Sequence, residues 1–133
     1  MRWEGVILGE AVSKANSRRL VLFGKRPASI KSVKALDFVA SARQQLRPTE
    51  PLLKGPVRFT AIIYYATERP DLDESLVLDV LQGIVYANDR QVRQKRVDHG
   101  IDKTNPRVEI VVETLDSLVL VPQTDFALPL VAP

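Results

Sequence analysis

Apolar and polar residues alternate cleanly over residues 57–65, VRFTAIIYY. Val57, Phe59, Ala61, Ile63 and Tyr65 face one way; Arg58, Thr60, Ile62 and Tyr64 face the other. A period of two is that of a β-strand. Ile62 and Tyr64 make the second face too apolar to be simply wet, which predicts a central strand. Residues 107–113, RVEIVVE, alternate in the same way, with Val108, Ile110 and Val112 on the core side. Residues 3–9 and 19–23 read as two further strands, ended by Gly9 and Gly24, and residues 90–100 as a basic strand. Residues 29–46 change to helical spacing, with Ser29 or Ser32 as the cap. The predicted stripe is Val33, Leu36, Val39, Ala40 and Leu46, with Phe38 and Ala42 at its edges. A second, short helix over 74–81 carries Leu76, Val77, Val80 and Leu81. Between them, the loop 47–56 holds three prolines and a glycine. The order β-β-α-β-α-β-β predicts an α+β fold: a mixed or antiparallel sheet with two helices on one face.

The chemistry concentrates in residues 70–92, PDLDESLVLDVLQGIVYANDRQV. Asp71 and Asp73 are two apart, so in an extended chain both project to one side. Asp73 is also placed to cap the short helix, and Gly83 to stop it. Asn88-Asp89 is a turn signal. A helix that doubles back can return Asp89 to the neighbourhood of Asp71 and Asp73. Three carboxylates at one point repel unless a cation lies between them. Magnesium fits such oxygen donors, with manganese as an alternative. It would activate water and stabilise charge on a phosphodiester under attack.

This stretch resembles the RusA-like Holliday junction resolvases, whose signature runs loosely D-[IL]-D-N-x-x-K-x-x-x-D-x-L-x-G-x-x-x-x-D-D-x-Q-V. Asp71, Asp73, Asp79, Leu81, Gly83, Asp89, Gln91 and Val92 match it, and a weaker collinear resemblance covers residues 10–113. The resemblance implies that Asp71, Asp73 and Asp89 are the catalytic magnesium ligands. It implies the same fold class, a four-way DNA junction as substrate, and a homodimer whose two sites suit the two-fold junction. The chain departs from the pattern at three places. Ser75 or Val77 stands where the family has its catalytic lysine, Glu74 replaces the asparagine, and Asn88 replaces the first acid of the later pair. Arg69, Arg90 or a basic side chain of a second subunit are the candidates for the lysine's role.

Charge supports a nucleic-acid partner. The net charge is only +3, but residues 1–60 carry 12 Lys/Arg against 4 Asp/Glu, and residues 61–133 carry 7 against 12. The expected phosphate contacts are Lys14, Asn16, Arg18, Arg19, Lys25 and Arg26 in the first half. Arg69, Arg90, Arg93, Lys95 and Arg96 add to them near the acids. Lys31, Lys34 and Arg43 offer a further basic helix face. His99, the one histidine, reads as a surface residue, and Asp98 and Asp102 as turn chemistry. Without cysteine there is no disulfide framework or thiolate metal site. With no membrane-length apolar run and no secretory pattern, a cytoplasmic setting is expected. Residues 1–113 form the expected catalytic domain. Residues 114–133, apolar and proline-containing, are expected to pack on it or on a second subunit. Three other readings stay open: a catalytically weakened protein that binds branched DNA, a nuclease acting on other branched DNA, and a structural or interaction domain in which Asp71, Asp73 and Glu74 merely cap a helix.

Overall fold

A computed structural model describes residues 1–13, 18–23, 26–31 and 33–115; side chains are considered for 1–13 and 33–115. The elements are β1 (Arg2–Leu8), β2 (Arg18–Phe23), β3 (Arg26–Lys31), α1 (Val33–Gln45) and β4 (Val57–Tyr65). They continue with α2 (Ser75–Leu81), a 3-10 turn (Asp89–Gln91), β5 (Val92–Ile101) and β6 (Arg107–Thr114). Strands β1-β6-β4-β5 form one mixed sheet in that order, and β2-β3 form a separate two-stranded sheet. β4 pairs antiparallel with β6 and parallel with β5, so it is the interior strand its two apolar faces predict. The α+β class is as expected.

One face of the large sheet carries the helices. Val57, Phe59, Ala61, Ile63 and Tyr65 of β4, with Val108, Ile110 and Val112 of β6, are buried there. Leu76, Val77, Val80 and Leu81 of α2 close over them. Gly83, at φ +83°, ends this helix in the left-handed region that favours glycine. On β1, Gly5 is required by close approach: a Cβ there would lie 2.4 Å from the Trp3 ring. The opposite sheet face is an open trough with Val6, Thr60, Ile62 and Val111 along its floor. Of that face, Val6 and Leu8 are exposed.

Two expectations are corrected. Residues 29–31 belong to strand β3, paired with β2, and the first helix begins only at Val33. Ser29 therefore cannot cap it, and Ser32 lies outside the described residues. Strands β2 and β3 pair antiparallel with only two residues between them in the chain, a hairpin spacing. Second, α1 buries Ala35, Phe38 and Ala42, with Leu46 buried just past its end, while Val33 and Leu36 remain more than half exposed. The buried stripe is rotated by one position from the one predicted from large aliphatic residues. Alanines let the helix approach α2 and β1 closely, so the small residues mark the contact. Arg43 has a structural partner: its guanidinium donates to the backbone oxygens of Asp79 (3.2 Å) and Gln82 (3.5 Å) at the end of α2. Residues 116–133, most of the stretch expected to pack on the domain or on a second subunit, lie outside the described residues.

Gln91 ties the 3-10 turn to the proline-rich loop. Its amide nitrogen donates to Leu53 O and Gly55 O, both at 2.9 Å. Its oxygen accepts from the N–H groups of Ala87 (3.0 Å) and Asn88 (3.2 Å). Gln91→Leu strands these backbone groups and is expected to cost about 2–3 kcal/mol. The check is a lower urea midpoint at unchanged slope.

Candidate active site at the exit of the central strand

β4 delivers the chain to the acids, as its direction predicts. From Tyr65 the backbone passes Ala66, whose N–H is held by Glu10 Oε2 at 2.7 Å. It then forms an irregular strap, residues 70–74, before entering α2. β5 runs parallel beside β4 with Phe59 opposite Lys95, so Lys95, Val97 and His99 share the helix-bearing face with Phe59, Ala61 and Ile63. The strap is fastened to this strand at both ends. His99 Nε2 donates to Pro70 O at 3.1 Å, a carbonyl being only an acceptor. Lys95 Nζ pairs with Glu74 Oε2 at 2.5 Å.

Tyr65 fastens the middle. Its hydroxyl donates to Asp71 O (3.2 Å) and accepts from Asp73 N–H (3.2 Å). Burial, above all, pushes its pKa above the ordinary 10.0. The Asp73, Glu10 and Glu74 carboxylates add to that shift, while the Asp73 N–H opposes it. The folded state thus holds this proton more tightly than the unfolded chain. Its stabilising share is complete below about pH 10 and is lost as pH rises through the raised folded value. Tyr65→Phe should therefore lose about 1–2 kcal/mol at neutral pH. Its alkaline unfolding curve should be flatter than that of the parent, followed by circular dichroism.

The three predicted acids differ in setting. Asp71 is exposed. Asp73 is half-buried: Oδ1 accepts the Ser75 N–H at 2.8 Å, and Oδ2 accepts the Ser13 hydroxyl at 3.3 Å. It thus caps the first turn as expected, although Glu74 occupies the formal N-cap position and makes no side-chain cap bond. Asp89 is half-buried at the start of the 3-10 turn, with its N–H bound to Gln82 Oε1 at 3.2 Å. It lines a cleft with Leu78, Val92, Arg93, Gln94 and Lys95. Asn88, where the family pattern has an acid, caps the 3-10 turn: Oδ1 accepts the Arg90 N–H at 2.9 Å. Beneath this turn Tyr86 is wholly buried and donates to Leu78 O at 2.9 Å. Burial first, then the Asp89 and Asp79 carboxylates, push its phenol far up, so it stays neutral.

Among the described residues no three Asp, Glu, His or Cys side chains converge into a ready-made cage for a metal ion. The donors instead flank one region. The strap carries Asp71 and Asp73, Glu74 ties it to Lys95, and Lys95 opens onto the cleft that Asp89 lines. As a donor set, the three carboxylates fit a hard divalent cation.

The basic residues divide. Arg69, Arg90 and Arg93 are exposed; Arg93 shares the Asp89 cleft, and Arg90 lies by Gly55 and Pro56. Arg96 stands opposite Thr60 on the other sheet face, where it pairs with Asp98 at 3.2 Å. It is therefore not brought to the acids. Lys14, Asn16 and Lys25 lie outside the described residues, as do the side chains of Arg18, Arg19 and Arg26. Asp102 is turn chemistry, as read. One oxygen accepts from Thr104 and Asn105, the other from Arg107 at 2.7 Å, and the Arg107 bond chiefly lowers its pKa. Sequence reasoning missed Glu10 and the part played by Tyr65. Neither has a local signal, because each acts through a remote backbone group.

The family model for Endodeoxyribonuclease RusA matches residues 12–113. The chain belongs to the RusA endodeoxyribonuclease family. The match begins beside Ser13, takes in the strap, the cleft and the 3-10 turn, and ends on β6. No curated protein matches the chain. The RusA assignment agrees with the α+β arrangement, and no helix of the described residues is long and apolar enough to cross a membrane.

Proposed function

We propose that this RusA-family chain is a magnesium-dependent endonuclease that resolves four-way DNA junctions. The observation that supports it best is the strap: Asp71 and Asp73 sit at the exit of the central strand, clamped to β5 beside the cleft that Asp89 lines. Asp71, Asp73 and Asp89 are the proposed ligands. A divalent ion bound there would supply an activated water and stabilise charge on the phosphodiester.

The chain's own residues do the rest. Tyr65, His99 and Lys95 hold the strap backbone and Glu74 in place. Asp73 keeps one oxygen oriented by the Ser75 N–H, which fixes its rotamer. In the hydrolysis, a water oxygen bonds to phosphorus as one P–O ester bond breaks. The water gives up a proton and the leaving oxygen ends protonated, so charge and atoms balance. Arg90 and Arg93, with the basic residues of 14–26, are the proposed phosphate grips, and their contacts make affinity fall with salt. A homodimer would present two such sites to the two-fold junction.

The test is cleavage of a synthetic four-way junction with magnesium, beside the same reaction with chelator. Cutting with the metal alone is expected. Binding without cutting in either condition would favour a branched-DNA-binding protein, and preference for flaps or forks would favour a nuclease of other branched DNA.

A further inference from the structure

We propose that Lys95 is the cation that meets the scissile phosphate in this site, with Glu74 as its resting partner. The inference rests on the nuclease reading above. It goes beyond that reading by giving a catalytic role to a strand residue at the charge-stabilising position. Three observations carry it. Lys95 lies on the helix-bearing face of β5, opposite Phe59, and so on the side of the acids. Its ammonium pairs with Glu74, the residue next to Asp73. It also lines the cleft that Asp89 lines. Lys95 therefore stands between the two parts of the acid set that the chain separates by more than a dozen residues.

The pair is unequal in a useful way. The Lys95 side chain is 52% exposed, whereas Glu74 is only 17% exposed. The ammonium is within reach of a bound strand; the carboxylate is mostly withdrawn. The ammonium half of the pair is open to water, so a phosphate oxygen can approach it and compete with Glu74 for the charge. A lysine suits this exchange, being a compact charge on a long flexible stem. The role is electrostatic: Lys95 forms and breaks no covalent bond, and its charge offsets what builds on the phosphate as water attacks. The other cations are placed less well. Arg93 shares the cleft but, among the described residues, has no ion pair to the strap such as Lys95 has with Glu74; Arg90 lies at the Gly55–Pro56 loop, and Arg96 is on the far face. The helix positions themselves offer none: Ser75 is neutral and Val77 is buried.

The experiment compares wild type, Lys95→Met, Lys95→Arg and the double variant Lys95→Met/Ser75→Lys. Single-turnover junction cleavage is measured with magnesium, and junction binding with calcium in its place. Lys95→Met should slow cleavage by about 100-fold or more, the usual loss when one preorganised charge donor is removed. Its junction affinity should stay within about threefold, since one phosphate contact among many contributes little to the total. Lys95→Arg should keep most of the rate, and a lysine on the first turn of α2 should restore part of it. Unchanged cleavage by Lys95→Met would overturn the inference. So would a loss of binding equal to the loss of rate, which would make Lys95 only a grip. A Lys95→Met variant that unfolds would leave Lys95→Arg and the double variant to decide: if arginine cuts no better and the added lysine rescues nothing, the inference fails. A wild type that does not cut removes the nuclease reading first, and this inference with it.

Discussion

Asp73→Asn is expected to abolish magnesium-dependent junction cleavage while leaving the junction bound. The fold should survive, because asparagine keeps an oxygen for the Ser75 N–H and is itself a good capping residue. What is lost is a formal charge at the proposed ion site. Changing a group one step removed from a metal commonly costs about 10–100-fold, so loss of a direct ligand should cost at least about 100-fold in rate. Removing a negative charge near the DNA also reduces repulsion, so junction affinity should hold or rise. Cleavage and gel-shift titrations on the same preparation read both effects. A variant that cuts at the parent rate would remove Asp73 from the site.

The second large effect is on stability. Tyr86→Ala is expected to cost about 3–5 kcal/mol, the range for deleting a fully buried aromatic side chain. Tyr86 is 0% exposed. Its hydroxyl is bonded to Leu78 O, and its backbone oxygen accepts the Gly83 N–H at 2.7 Å. The side chain joins α2 to the segment that carries Asp89. A domain of this size is stabilised by only about 5–15 kcal/mol in total, so the variant should unfold at a much lower urea concentration. Tyr86→Phe keeps the ring and loses only the bond to Leu78 O, so it should cost about 1–2 kcal/mol. Equal losses from the two variants would show that the hydroxyl, not the packing of the ring, dominates.

Much of this architecture was legible because it repeats at short range. The alternation of Val57 through Tyr65 gave an interior strand and its exit. The alternation of Val108, Ile110 and Val112 gave a second, and Gly83 gave the end of α2. Strand β3 was harder, since Ser29 to Lys31 fit a helix start as readily as a strand until paired with β2. The buried face of α1 was misplaced because Val33 and Leu36 are larger than Ala35 and Ala42. Size signals burial only where there is room, and close helix packing favours the small residue. At the site, the acids stood out through their spacing, but their supports did not. The Lys95–Glu74 pair depends on a parallel register that sets Lys95 opposite Phe59. Glu10 acts on Ala66 across 56 positions of chain. No local pattern encodes such meetings; they follow once the sheet order is known.

Manganese diffused into crystals of the protein gives the most direct reading of the site, through its anomalous scattering. One peak should appear within about 2.0–2.3 Å of oxygens from Asp71, Asp73 and Asp89, as hard-cation coordination requires. A peak bound by other residues, or none at saturating manganese, would mean that these three acids hold no common ion.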